Sequence, residues 1–353
     1  MRMFILGTGQ AGGKIADSLW AADRKLYSVL AINSAEFDLA GLRYIRPESK
    51  LLIGEYRVGK RGVGANAELG AEIAKDYIGV IMDKIKAMEQ GCDGFLLTTG
   101  LAGGTGGGVA LVVAAKLKEY LGKPVYCLGV LPSMTSMPHD KEALCLSNAV
   151  RSFGRLVKVV DNMILFDNQN FERQEKTRES MAEEYERYNL AVVQRLNLLF
   201  RADEFGHLNT VPQEVAGTSE IMETLKGGGV CSIGYQEVKL KGLEKEKVAP
   251  DAKYLELLIQ ASTRRENLTY PCDISNAARV LMISYARPEH LYSAGLRSAR
   301  GWLEGQMGIG KALYGDLPDK RADKMAVVTL ISGIEDLSRI RQMERRIEEL
   351  LVT

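Results

Sequence analysis

The sequence has few of the residues that build metal sites and disulfide frameworks, and it has no long apolar run. Its 353 residues include only three histidines and five cysteines, and no two cysteines form a CxxC pair. This cysteine content favours reduced thiols in the cytoplasm over a disulfide framework or a zinc site. The sequence contains no run of about 18 apolar residues, so we expect no transmembrane helix. The N-terminus lacks the features of a signal peptide. We therefore expect a cytoplasmic protein without an integral membrane segment.

An excess of charge of either sign is also missing. Lys and Arg total 46 and Asp and Glu total 45, which gives a formal net charge of +1. Nucleic-acid-binding domains usually carry a basic patch, so we expect no nucleic acid partner. Hydrophobic residues make up 46% of the chain, a proportion typical of globular proteins. The length suggests two or three domains.

Apolar runs and helix-like segments alternate along the first part of the chain. RMFILG, YSVLAINS, DGFLLTTG and PVYCLGVLP are such runs, and this alternation predicts a mostly parallel sheet covered by helices. Later segments mix strand and helix patterns in a different order. We therefore predict an α/β fold in three parts: a parallel-sheet domain over residues 1–178, a long central helix over 179–202, and a smaller α+β domain over 203–353.

The first glycine-rich turn, GTGQAGGK, spans residues 7–14 between a predicted strand and a predicted helix. It fits GxGxxG, and backbone N–H groups at such a helix start favour anions. An NAD(P) dehydrogenase is therefore an alternative. A dinucleotide site also needs an acid at the end of the second strand, but that strand ends in AINSA and the first acid is Glu36.

A second and richer glycine segment, GLAGGTGGGVA, spans residues 100–110. So many glycines are costly to order, but their backbone N–H groups can surround an oligophosphate closely, and Thr105 adds a hydroxyl. A third loop, GKRGVGAN at residues 59–66, carries two cations and suits a terminal phosphate. The P-loop pattern GxxxxGK[ST] does not occur, which argues against that class of nucleotide site.

Taken in chain order, these segments resemble the nucleotide-binding loops of the tubulin/FtsZ superfamily, most closely its archaeal CetZ group. GLAGGTGGGVA is similar to the superfamily's glycine signature, while GTGQAGGK, AINSAEFDL and GKRGVGANAELG are similar to its other loops. The resemblance covers at least residues 1–215. It implies a tubulin/FtsZ-like variant of the Rossmann fold, GTP/GDP as cofactor with Mg²⁺ accompanying GTP, and head-to-tail self-assembly into filaments. No motif supplies a dedicated acidic metal cage.

The resemblance also assigns nucleotide-binding residues. The phosphate-side loops contribute Gly9, Gln10, Ala11, Gly12, Gly13, Lys14, Asn33, Gly64, Ala65, Asn66, Gly103, Gly104, Thr105, Gly106 and Gly107. The base side is assigned to Asn168, Tyr185 and Asn189. The last two are four residues apart and share one helix face, where a ring can stack on guanine and an amide can bind its edge. In the fifth loop, LPSMTSMPHD, Ser136 stands near the position of an acid in FtsZ-type proteins, so the ribose would be contacted by Ser136 or by backbone.

The segment HLNTVPQEV, residues 207–215, resembles the NxDxxD loop that acts on the nucleotide of a neighbouring subunit. Asn209 is present, Val211 replaces the first acid, and Glu214 replaces the second. The resemblance implies that Glu214 orients or deprotonates the attacking water and that Asn209 shapes the loop or contacts the next nucleotide. We therefore expect a polymerisation-coupled GTPase with a role in cell shape or division. Because the first acid is lost, a non-polymerising or dimeric GTP-binding regulator is the alternative.

Overall fold

A computed structural model describes the chain except for residues 121, 138, 173–179, 204–215, 242–251, 309 and 353. The strands are β1 (Met3–Thr8), β2 (Tyr27–Asn33), β3 (Lys50–Leu52), β4 (Gly94–Gly100), β5 (Val125–Leu131), β6 (Asn162–Asp167), β7 (Val230–Lys239), β8 (Arg279–Ala286), β9 (Lys311–Pro318) and β10 (Lys324–Ser332). The α-helices are α1 (Gly9–Ala22), α2 (Glu36–Ala40), α3 (Glu55–Val58), α4 (Ala67–Asp76), α5 (Ile78–Met88), α6 (Gly104–Tyr120), α7 (Glu142–Leu156), α8 (Asn168–Glu172), α9 (Met181–Phe200), α10 (Thr218–Leu225), α11 (Ala252–Ser262), α12 (Ser293–Gln306) and α13 (Ser338–Val352).

The first compact unit comprises Arg2–Val193 and Leu337–Thr353. Six of its strands are parallel and lie in the order β3-β2-β1-β4-β5-β6. All residues of β1, β5 and β6 are buried, as expected for parallel strands covered on both faces. The chain order reverses between β1 and β4. In open α/β sheets the crevice beyond the carboxyl ends at such a reversal is the usual place for a ligand.

The second compact unit comprises Met1 and Gln194–Asp336. Its strands lie in the order β7-β10-β8-β9. Strand β10 is antiparallel to both of its neighbours, and β8 and β9 are parallel. Helices α10, α11 and α12 belong to this unit. The buried guanidinium of Arg195 donates to the carbonyl oxygens of Ile233 at 3.2 Å and Asn267 at 2.8 Å. It therefore joins α9 to two other segments of the unit.

The predicted fold class is confirmed, and the structure adds differences in detail. Apolar residues recur at three-to-four spacing over residues 66–88, which predicts one helix there. The structure has two helices instead, which meet at Tyr77 (φ −100°, ψ 3°). Strand β9 was not predicted, because its sequence KALYGDLP contains residues that are uncommon in strands.

The compact units also divide the chain differently from the predicted boundaries. The division between them falls inside α9, after Val193, and α13 belongs to the first unit although it lies at the other end of the sequence. None of the helices in the described part of the chain is both long and apolar enough to cross a bilayer.

Candidate nucleotide-binding site

A cavity of about 340 Å³ lies at the carboxyl ends of β1, β4, β5 and β6. Its volume falls within the range of small-ligand pockets. Nine of its lining residues were predicted as nucleotide contacts: Gly9, Gln10, Ala11, Lys14, Gly103, Gly106, Asn168, Tyr185 and Asn189. The other lining residues, which were not predicted, are Thr8, Ile15, Gly100, Ala102, Val130, Pro132, Phe166, Tyr188 and Val192.

Two glycine turns meet at one end of this cavity. Gly9, the first residue of α1, has φ +69°, and a Cβ on it would lie 2.9 Å from the backbone nitrogen of Gly106 in the first turn of α6. The hydroxyl of Thr8 is 3.3 Å from the carbonyl oxygens of both Thr98 and Gly106. The first N–H groups of a helix have no partner within that helix, so two helix starts side by side favour an anion.

Other glycines of the signature segment serve close packing between helices. A Cβ on Gly104 would lie 2.6 Å from the backbone nitrogen of Asn66, and one on Gly107 would lie 2.3 Å from Oγ of Ser152. On Gly108 it would lie 2.3 Å from the carbonyl oxygen of Ala67. The expectation of a loop is wrong here, because α6 begins at Gly104 and its first turns lie directly against α4 and α7. Gly104 and Gly107 are not part of the cavity wall.

The first glycine-rich turn, residues 7–14, also contains glycines that serve close packing. A Cβ on Gly12 would lie 1.9 Å from the carbonyl oxygen of Thr98, so this glycine lets α1 approach β4. Gly13 is buried and faces the side chain of Leu42. Neither glycine lines the cavity.

Three predicted polar residues near the phosphate end bond to the protein instead of lining the cavity. The Thr105 hydroxyl lies 2.8 Å from that of Ser34. The amide of Asn33 donates to Asp38 at 3.0 Å, and Asn66 caps α4 by accepting from the N–H of Leu69 at 2.9 Å. These contacts shape the segment that follows β2 and the third loop.

A buried asparagine that was not predicted joins the third loop to the glycine signature. The Asn148 amide on α7 donates to the carbonyl oxygens of Ala65 at 2.7 Å and Ala102 at 3.2 Å. Ala65 has φ +65° and Gly64 has φ +59°. For a non-glycine residue such as Ala65 this backbone conformation is strained, so the contact from Asn148 supports it. Gly64 and Ala65 lie outside the lining of the cavity.

Aromatic and amide side chains line the opposite end of the cavity. Tyr185 and Asn189 project from α9, and Asn168 begins α8. Tyr185 is 41% exposed and meets the buried ring of Tyr188 edge-on, with centroids 6.0 Å apart. Partial burial raises the pKa of the Tyr185 phenol, so this group is neutral at neutral pH. The ring of Phe166 contacts that of Tyr188 in this wall, with centroids 6.4 Å apart.

Lys14 lies at the boundary between this cavity and a second cavity of about 580 Å³. Both cavities share Lys14, Tyr185 and Asn189. The Lys14 side chain is therefore placed near the base-side residues, one helical turn beyond Gln10.

In the fifth loop, Ser136 is exposed and does not line the cavity. An acidic side chain from α8 contacts this loop. The carboxylate of Glu172 accepts from the hydroxyls of Ser133 and Thr135, the latter at 2.6 Å. The predicted catalytic residues Asn209 and Glu214 lie outside the described residues.

Comparison with known proteins places the chain in a family. Residues 2–175 match the tubulin/FtsZ family GTPase domain, and residues 178–349 match the tubulin-like CetZ C-terminal domain. The tubulin-like protein CetZ1 of Haloferax volcanii is 36% identical, with 98% of this chain and 91% of the relative covered.

Two solved structures from Haloferax volcanii are also similar to this chain. A GDP-bound monomer of CetZ1 has a TM-score of 0.85 at 35% identity and covers 99% of each chain. A GTPγS-bound protofilament of CetZ2 has a TM-score of 0.85 at 30% identity, covering 99% of this chain and 98% of the other.

The two matched domains and the parallel-sheet cavity define a GTPase of the tubulin/FtsZ superfamily. Within that superfamily, the chain belongs to the tubulin-like CetZ family.

Proposed function

We propose that this protein binds GTP in the 340 Å³ cavity and assembles head to tail into filaments, with hydrolysis completed by the neighbouring subunit. The observation that carries the proposal is that the two ends of the cavity differ in chemistry. Two helix starts meet at one end, and an exposed tyrosine lies with two asparagines at the other. A nucleoside triphosphate has the same arrangement, with an anionic chain at one end and an aromatic base with polar edges at the other.

The residues present fit a guanine nucleotide. Gly9 and Gly106 leave bare backbone where phosphates would approach, and Tyr185 offers a ring face. Within the described part of the chain, the side-chain amides of Asn168 and Asn189 have no hydrogen-bond partner in the protein. An amide carries both donors and acceptors and can therefore bind the mixed edge of guanine.

Magnesium is expected to accompany GTP. Among the described residues, no group of three or more His, Cys, Asp or Glu side chains could hold a metal ion. Mg²⁺ is commonly bound by substrate phosphates and waters with one or two carboxylates. When bound, it would neutralise charge on the phosphates, while the glycine turns orient them.

The place of Glu214 in the sequence supports hydrolysis between subunits. The segment that contains it follows α9, which ends at Phe200. About 15 residues separate Phe200 from Tyr185, which is roughly 22 Å at the usual rise per residue. We infer that Glu214 reaches the nucleotide of the next subunit and lines up the attacking water, because phosphoryl transfer depends mainly on positioning and charge stabilisation.

A head-to-tail contact of this kind does not close on itself, so repeating it gives an open filament. The CetZ2 relative forms a protofilament with GTPγS bound, which supports the proposal. We further propose that the filament acts in cell shape or division in the cytoplasm. All five cysteines are free, as expected for a reducing compartment.

The first expected result is that GTPase activity per molecule rises with protein concentration, because the active site is complete only between subunits. Phosphate release from GTP would be measured across about a hundredfold range of protein concentration, with sedimentation of the same samples. Activity that does not change over this range contradicts the proposed interface. A chain that binds GTP but stays in the supernatant with both GTP and GDP would support the alternative, a non-polymerising regulator.

The second expected result concerns the ring of Tyr185. Base stacking on an aromatic side chain contributes about 1–3 kcal/mol, so Tyr185→Ala should weaken GDP binding by roughly 5- to 150-fold. Tyr185→Phe keeps the ring and is the matched control, expected to bind GDP nearly as the unaltered chain does. Isothermal titration with GDP measures both. If the alanine and phenylalanine variants bind equally, the base does not stack on Tyr185.

A further inference from the structure

Helix α13 is distant in sequence from the cavity but belongs to the same compact unit. Its residue Arg339 is 7% exposed, and Nη1 donates to Oε1 of Gln342 on the same helix at 3.1 Å. Three further acceptors lie on other segments. The Nε donates to Oδ2 of Asp167 at 3.0 Å, and Nη2 donates to Oε1 of Gln169 at 2.5 Å and to the carbonyl oxygen of Pro132 at 3.1 Å. The sequence separation of these contacts, 170 residues or more, explains why sequence reasoning did not find them.

The three acceptors surround part of the cavity wall. Asn168 stands between Asp167 and Gln169 in the chain, and both Asn168 and Pro132 line the cavity. Oδ1 of Asp167 also accepts from the backbone N–H of Gln169 at 3.1 Å, and Oε1 of Gln169 accepts from that of Met134 at 3.2 Å. One guanidinium thus ties the end of β5 to the end of β6 and the start of α8, beside Asn168.

An arginine at this position can hold several acceptors in one fixed arrangement. Replacing a buried ion pair by well-packed apolar residues is often neutral for stability or better, so stability alone does not require the Arg339–Asp167 pair. A guanidinium has several donors in a rigid planar fork and can hold several acceptors in one arrangement, whereas a lysine is a point charge. Outside α13, Arg339 uses this property on two side chains and one backbone carbonyl.

We propose that Arg339 is a positioning residue for the nucleotide base. It holds Asn168 in the orientation that reads the guanine edge, through Asp167 and Gln169, without touching the nucleotide itself. The inference rests on the proposed function, because it requires the base to lie at Asn168. It also makes α13 a part of the nucleotide site.

The experiment measures GDP affinity by isothermal titration for the full chain and for Arg339→Gln. We expect about a tenfold loss of GDP affinity. The affinity for inorganic pyrophosphate, which has no base, should stay unchanged. In an Asn168→Ala background, Arg339→Gln should cause little further loss of GDP affinity, because the residue through which it acts is already gone.

Arg346 on the same helix provides the matched control. It binds the buried carboxylate of Glu142 on α7, with Nε–Oε1 at 2.8 Å and Nη2–Oε2 at 3.2 Å, and it does not line the cavity. Arg346→Gln should lower the unfolding temperature but leave GDP affinity unchanged. If Arg339→Gln does not fold, Arg339→Lys carries the test, since it keeps the charge beside Asp167 and should lose a smaller part of the affinity.

Three results would overturn the inference. One is unchanged GDP affinity in a folded Arg339 variant, the second is an equal loss for pyrophosphate, and the third is an undiminished loss in the Asn168→Ala background. Failure of the unaltered chain to bind GDP would contradict the proposed function instead, so the two failures are distinguishable.

Discussion

Glu214→Gln should bind GTP and assemble into filaments, yet hydrolyse GTP about 100-fold or more slowly than the unaltered chain. A positioned general base typically contributes 10²- to 10⁴-fold, and the substitution removes the carboxylate charge while keeping the size of the side chain. Because the first acid of the loop is already replaced by Val211, no second carboxylate of the motif can take over. Phosphate release and sedimentation with GTP, measured on the same samples, separate hydrolysis from assembly.

Glu223 offers a matched control for this substitution. It lies on α10 and forms an exposed ion pair with Lys311 at 3.4 Å. Exposed pairs of this kind contribute at most about 1 kcal/mol, so Glu223→Gln should keep nearly full activity. Equal activity of the Glu214 and Glu223 variants would show that Glu214 has no part in hydrolysis.

Gly108→Ala should destabilise the first compact unit by about 3 kcal/mol, a large overpacking penalty for one methyl group. The added Cβ would lie 2.3 Å from the carbonyl oxygen of Ala67 and 2.6 Å from the backbone nitrogen of Ala71. These are backbone atoms of α4, so no side chain can rotate away and the two helices must separate. Urea unfolding, followed without nucleotide, measures the change in the free energy of unfolding.

Gly154→Ala is the matched control for Gly108→Ala. Gly154 lies in α7 of the same unit, and a Cβ there would meet nothing within 4 Å. Alanine has the higher helix propensity by up to about 1 kcal/mol, so this variant should be as stable as the unaltered chain or slightly more stable. If both variants unfold at the same urea concentration, α6 and α4 do not pack closely at Gly108.

The sequence predicts those features that depend on local pattern. Apolar runs predict the buried parallel strands, and the four-residue spacing of Tyr185 and Asn189 predicts their common helix face, which the structure places in the cavity wall. Glycine-rich turns after β1 and β4 predict a ligand at one edge of the sheet, since the carboxyl ends of parallel strands lie together.

Features that depend on distant contacts could not be predicted in this way. Gly12 and Gly104 look like phosphate-loop residues in the sequence, but their neighbours in space are the backbones of Thr98 and Asn66. Asn148 acts on a carbonyl 83 residues away, and Arg339 acts on a carboxylate 172 residues away. No periodicity or short motif encodes such pairs, because each depends on how separate elements pack.

The discontinuous makeup of the first compact unit has a consequence for how the protein is made. A ribosome releases residues 2–193 first, then residues 194–336 of the second unit, and only later the residues from Leu337 onward that return to the first. Domains generally fold as units during synthesis, starting from the N-terminus, but this one must wait for its last helix. Until Arg339 has left the ribosome, the residues on either side of Asn168 lack the guanidinium that binds them. A nascent chain should therefore acquire its full affinity for nucleotide late in synthesis.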